Sequence, residues 1–194
     1  MAVHGQEKST FCGKLFTLIV TAGFLVLIYW AIFQPHHIRA TVSSARLSNL
    51  TVTNATAAVS YTLAVTLNLY NPSLRVNIYY DSLDTVLRFR GELLGHASAT
   101  SPAEFYQRRK SSGDVRVEIR GTGVGVSGDA AAGLEKEKRE GKVSLEVAVD
   151  ARVRYRFGGI KILQKPRIRC WVVIPVKADG GGVLNPGGRC SVKY

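Results

Sequence analysis

Histidine, cysteine and acidic residues are scarce in this chain of 194 residues. The four histidines, His4, His36, His37 and His96, stand at no metal-ligand spacing with cysteine or carboxylate, so no metal centre is expected. The adjacent His36 and His37 read as a solvated pair. A Gly-x-Ser-x-Gly nucleophile elbow is absent, and Cys170 has no activating partner beside it in the sequence. No internal repeat or low-complexity tract occurs. The length suits one domain plus an appendage and excludes a large multidomain enzyme. Asp and Glu total 14 against 26 Lys and Arg, a net charge of +12. That shortage of acid favours anionic partners such as nucleic acid, lipid headgroups or acidic polysaccharide, and charge alone does not choose among them.

Apolar residues make up 46% of the chain, enough for a core and against wholesale disorder. They are concentrated at one place. From Leu15 to Phe33 there is no charge, and as a helix this stretch is roughly 28 Å long, close to the ~30 Å of a bilayer's hydrocarbon. Tyr29 and Trp30 lie near its far end, and Lys14 precedes it. A cleaved signal peptide has a shorter apolar core and a small-x-small site, whereas this run ends in Tyr-Trp-Ala-Ile-Phe. The expectation is an uncleaved single-pass anchor at 15–33, a cytosolic tail at 1–14 and a folded domain at 34–194.

Lys8 and Lys14 before the span are balanced by Arg39 and Arg46 after it, so positive residues do not set the orientation. Asn49 and Asn54 each head an acceptor sequon, while Asn71-Pro72-Ser73 is excluded by its proline. Of the three cysteines, Cys12 lies on the short side of the span, where a plain thiol and an acylated one are both open. Cys170 and Cys190 remain as an even pair in the long segment. If bonded they suit an oxidising compartment; the alternative is two separate buried thiols. The domain is therefore placed away from the cytosol. It carries +11 of the net charge, from 24 basic and 13 acidic side chains.

The domain reads as strand. Tyr61, Leu63, Val65, Leu67 and Leu69 alternate with small or polar residues, as in a half-buried strand, and Asn71-Pro72 stops the run. The pattern returns at Val115–Ile119 and at Val143–Phe157, which is long enough to bend. Ile38–Leu47, Thr85–Arg90 and Arg167–Val176 bring the count to about seven, the signature of an antiparallel sandwich. One helix is expected over Ala130–Glu140, capped by Asp129 and ended by Gly141, and Ala178–Gly188 reads as a mobile glycine-rich loop. Gly123–Gly128 matches a dinucleotide fingerprint. A single strand–helix–strand unit cannot build the crevice that motif serves, and the segment reads as a connection. Asp81 and Asp84 read as turn carboxylates.

The order of these segments resembles a known family. A short tail, one span and a stalk at Gln34–Ile38 are followed by Asn71-Pro72, Tyr79-Tyr80-Asp81, Phe105-Tyr106-Gln107, Arg154–Gly158, and Cys170 with Cys190. In this the chain resembles the plant non-race-specific disease resistance/harpin-induced-like proteins, with their late-embryogenesis-abundant group-two domain. The resemblance spans essentially the whole chain and departs at Ser73, where the family commonly has a second Asn. It implies a mainly β fold: a transmembrane helix followed by a roughly seven-stranded antiparallel sandwich, fibronectin-III- or immunoglobulin-like, with one helix. It also implies residence in the plasma membrane and a part in defence or abiotic stress instead of catalysis. No cofactor and no nucleic-acid partner are expected.

Arg88, Arg90, Arg116, Arg120, Arg152, Arg154, Arg156, Arg167 and Arg169 fall on positions alternating with apolar residues, so they should point away from the core. Charge on an exposed sheet also serves solubility and discourages edge pairing. As a functional face, these arginines suit a cell-wall polyanion or an anionic leaflet, with a protein partner as the further possibility. A lipid-handling domain, built around an apolar groove, is the alternative.

Overall fold

The computed structural model describes residues 6–33, 37–53, 55–98 and 105–194. Sequon residue Asn54 and stalk residues Gln34, Pro35 and His36 lie outside the described residues, as does the side chain of Cys12. Two compact units are present, one ending at His36 and the other spanning His37–Tyr194.

The first unit holds helix α1 (Gln6–Phe33), which starts nine residues before the expected span and takes up much of the expected tail. Its window Gly13–Trp30 is long and apolar enough to cross a membrane, and none of it is buried by other parts of the chain. Thr17 and Thr21 donate their hydroxyls to the carbonyls of Gly13 and Thr17, at 3.0 and 2.6 Å. These polar groups are thereby satisfied within the helix, as an apolar surrounding requires.

The second unit contains β1 (Arg39–Thr53), β2 (Ala58–Tyr70), β3 (Asn77–Phe89), β4 (Glu92–Ser98), β5 (Phe105–Gln107), β6 (Ser112–Gly125), α2 (Gly128–Arg139), β7 (Lys142–Phe157), β8 (Ile160–Gln164), β9 (Arg167–Pro175), β10 (Gly182–Leu184) and β11 (Ser191–Lys193). The smaller sheet runs β10-β1-β2-β6. The larger runs β11-β9-β7-β3-β4, with β5 also on β3 and β8 also on β7. Every strand pairing is antiparallel. Seven of the strands have seven residues or more. The sequence expectation of about seven holds for these, and the four short ones extend or cover edges.

Alternating burial explains the sandwich. In β2 every second residue from Val59 to Leu69 is buried, and in β7 the same holds from Val143 to Tyr155. The inward sides of both sheets meet in one cluster that includes Leu63, Leu67, Ile78, Leu87, Val147 and Ile168. The long β7 changes partner along its length, pairing with β9 through Asp150 and with β8 from Val153. A register shift at Tyr80/Ser82 of β3 lies opposite that change.

Three local expectations are corrected. Ser127, not Asp129, caps α2: its hydroxyl accepts from the Ala130 N–H at 3.1 Å, and Asp129 sits in the first turn, where its charge complements the helix dipole. Gly123, Val124 and Gly125, expected in a connection, instead complete β6 against β2. The glycine-rich stretch is not all loop, because Gly182–Leu184 pairs with Leu47–Ala45 of β1. Gly180 (φ +77) makes the turn that permits this, and a Cβ there would meet the Leu50 carbonyl.

Cys170 and Cys190 are bonded. The bridge holds the C-terminal segment on β9, while Gly187 and Cys190 donate backbone hydrogen bonds to Val42 and Ala40 of β1. At the chain's last residue, the Tyr194 hydroxyl accepts from the Ile38 N–H at 2.7 Å and shares a hydrogen bond with Tyr155 at 2.9 Å. Both termini of the unit are thus tied at one end of the sandwich.

Candidate anion-binding face

The two sheets turn their outer faces in opposite directions, which divides the nine candidate arginines. Arg116 and Arg120 lie on β6 of the smaller sheet; Arg88, Arg152, Arg154, Arg156, Arg167 and Arg169 lie on β3, β7 and β9 of the larger. Alternation tells which side of its own strand a residue takes, and leaves open which sheet the strand joins. Arg90 belongs to neither face. It forms with Gly91 the two-residue β3–β4 turn, both at positive φ (49° and 89°), as the twist of a tight hairpin demands. That conformation sends its guanidinium to Glu137 of α2, at 3.0 Å.

Carboxylates engage four more. Arg120 meets Glu118 at 2.6 Å, Arg154 meets Asp81 at 2.7 Å, Arg167 meets Asp150 at 3.0 Å and Arg169 approaches Glu146 at 3.9 Å. Exposed pairs of this kind stabilise little, about 0–1 kcal/mol each, but they reduce the local field. Asp81 and Asp84, expected in a turn, stand on β3.

Basic side chains gather around Arg154 and Arg156 on the larger sheet. Cross-strand register brings Tyr79 beside Arg154, Asn77 beside Arg156, and Lys161 beside Arg156 from the other edge. Tyr79, Arg154, Arg156 and Lys161 line a concavity of about 110 Å³. Arg154 lies over the Tyr79 ring, 5.9 Å from its centroid, and Tyr79 packs on Tyr106 at 4.7 Å. Three cations around one aromatic, with Arg154 also paired to Asp81, make a cradle that fits a carboxylate or phosphate. Lys161 escaped the sequence reading because β8 has no alternation: Ile160, Ile162 and Leu163 are all exposed. Tyr79 and Tyr80 divide as neighbours on a strand must, with Tyr79 in the cradle and Tyr80 buried.

Behind the cradle lies a knot of buried amides. Gln107 donates to the carbonyls of Leu69 and Ser111 at 2.6 and 2.7 Å and accepts from the Tyr80 hydroxyl at 2.9 Å. Asn71 donates to Val76 and Arg108 carbonyls at 2.9 and 3.1 Å and accepts from the Ser73 N–H at 3.0 Å. Ser73 replaces the expected Asn with a hydroxyl that accepts from the Arg75 and Val76 N–H groups. Burial pushes the Tyr80, Tyr155 and Tyr194 hydroxyls up from the ordinary range, so they stay neutral and able to donate. Asn71-Pro72 and Phe105-Tyr106-Gln107 therefore fix two loops to each other.

Asn49 is exposed, with φ 56 at an irregularity of β1. His37 packs on Tyr194 at 4.6 Å. Among the described residues no group of three His, Cys, Asp or Glu side chains could hold a metal ion.

Residues 66–170, from within β2 to within β9, match the family model described as late embryogenesis abundant protein. NDR1/HIN1-like protein 3 of Arabidopsis thaliana is 27% identical over 184 residues, covering 93% of this chain and 78% of its own. NDR1/HIN1-like protein 10 of the same plant is 27% identical over 164 residues, with 84% and 71% covered. Among solved structures, a protein from Archaeoglobus fulgidus is similar with a TM-score of 0.37 and 11% identity, over 73% of this chain and 97% of that one. On the matched span and these relatives, the chain belongs to the late embryogenesis abundant group-two family, in its NDR1/HIN1-like, defence- and stress-related branch.

Proposed function

We propose that this protein is a non-enzymatic, single-pass plasma-membrane protein whose basic β-sandwich acts as an interaction module in plant defence or stress responses. In this reading the segment 1–14 is cytosolic, 15–33 spans the membrane, and 34–194 forms the domain on the extracytosolic side. The disulfide Cys170–Cys190 supports that compartment, and the exposed sequon residue Asn49 agrees with it. The observation that carries the interaction role is the cradle of Arg154, Arg156 and Lys161 on the outer face of the larger sheet. Its ligand is an anionic group: a uronate of a wall polysaccharide, a lipid phosphate, or an acidic side chain of a protein partner. The lipid-handling alternative needs an open apolar groove, whereas the inward sides of the two sheets meet in one cluster of buried side chains.

The test uses the full chain in nanodiscs of zwitterionic lipid. Polygalacturonate should bind at low salt and be released as salt rises, because exposed charge contacts are screened. The variant R154E/R156E/K161E should lose that binding. Unchanged affinity with an intact fold would remove the cradle from the mechanism.

A further inference from the structure

The antiparallel topology gathers four features at one end of the sandwich. Arg39, Tyr70 and Ser112 are in register across β1, β2 and β6, and Asn77 is in register with Arg156. The β2–β3 connection, the β5–β6 connection, the β7–β8 turn at Gly158-Gly159 and the Tyr194–Ile38 contact consequently share the end at which Ile38 begins the domain.

No acidic residue occurs in the segments that build this end: 70–80, 105–113 and 151–165. Arg75 stands on the first connection and Arg108, Arg109 and Lys110 on the second, all exposed; Arg156 and Lys161 flank the turn. Large apolar side chains project among them. Leu74 is 65% exposed, Ile160 60% and Ile162 51%. Apolar tips ringed by Lys and Arg suit one kind of surface, the headgroup region of an anionic bilayer, where the tips enter the acyl boundary and the cations meet phosphate. The Asn71 and Gln107 knot holds the first two connections together, so little order is left to gain on contact. Four residues separate Phe33 from Ile38, five chain steps with a reach of at most about 18 Å, so a bilayer crossed by α1 is presented at high effective concentration.

We infer that this end of the domain docks on the anionic headgroup layer of the bilayer that α1 spans. The inference rests on the reading of α1 as a membrane span, and the experiment separates the two. In a C12S background, single cysteines I160C, A132C and L25C carry an environment-sensitive fluorophore. The full chain is reconstituted in nanodiscs of phosphatidylcholine, with or without phosphatidylserine, and with a shallow or a deep spin-labelled lipid as quencher. The label at 160 should be quenched by the shallow lipid, several-fold more than the label at 132 on α2, and more strongly when phosphatidylserine is present. The charge reversal R108E/R109E/K110E should return the 160 signal to that of 132. Quenching at 25 by the deep lipid, with 160 no different from 132, would overturn the docking while the span stands. Absence of quenching at 25 would overturn the span and the docking together.

Discussion

The two ends of the sandwich differ in charge though the same strands run between them. At the end that holds Ile38, the connections contribute Arg75, Arg108, Arg109, Lys110, Arg156 and Lys161 with no acid among them. At the opposite end, Arg90, Lys136, Lys138, Arg139, Lys142 and Lys177 are matched by Glu92, Asp129, Glu135, Glu137, Glu140 and Asp179. Glu137 there accepts from Arg90 and from the Ser144 N–H, and Glu92 accepts from the Ser127 N–H; the Ser127 side chain, together with that N–H, holds the Glu92 carboxyl below its usual range. Charge at that end is used for internal fastening. At the Ile38 end the fastening is done by neutral amides and tyrosines, which leaves the cations facing outward.

The largest expected effect comes from the Cys170–Cys190 bridge. Cys170→Ser should lower unfolding stability by about 3 kcal/mol for a loop of this length, and the double variant with Cys190→Ser should lose no more than either single one. Denaturant unfolding of the full chain checks this, and additive losses would contradict it. Next, Gln107→Ala should cost about 2–3 kcal/mol, because it leaves the Leu69 and Ser111 carbonyls and the Tyr80 hydroxyl to find new partners. Hydrogen exchange should then rise in residues 70–76 and 108–111 before it rises in α2. Equal loosening at both ends would break the comparison. On the opposite end, Ser127→Ala should cost about 1 kcal/mol through the lost cap and leave the Ile38 end unaffected.

Alkaline pH sharpens the same contrast. A tyrosine whose folded pKa lies above its unfolded value of about 10 contributes no loss below pH 10, and stability falls as pH climbs from there towards the folded pKa. Tyr80, Tyr155 and Tyr194 cluster at the Ile38 end, whereas at the other end Tyr61 stands apart from them, its hydroxyl pushed up to about 12 by burial. Stability should therefore decline above pH 10, and Tyr155→Phe should flatten that decline more than Tyr61→Phe. Unfolding midpoints measured on either side of pH 10 decide it.

The strands of the core were legible because burial on one side enforces a period of two: β2, β6, β7 and β9 follow the alternation residue by residue. What alternation does not carry was hidden. β8 has apolar residues on both sides, so its period says nothing, and Leu93 of β4 is exposed where a core residue would be expected. Alternation points the arginines outward, but their division between two sheets depends on strand order, and Arg90 falls in a turn that no alternation describes. The knot joins residues 37 and 38 positions apart, a contact that only the folded topology creates. The family motifs at Asn71 and Gln107 marked it without explaining it.

The central claim is that placement, and not the excess of positive charge alone, makes the cradle side of this domain its anion-binding surface. Two charge reversals of equal size test it directly: R154E/R156E/K161E at the cradle and K136E/K138E/R139E on α2, each in the full chain in zwitterionic nanodiscs. Titration with polygalacturonate at low salt should show binding lost in the first variant and retained in the second. Equal loss in both, or binding retained in the first, would contradict the account.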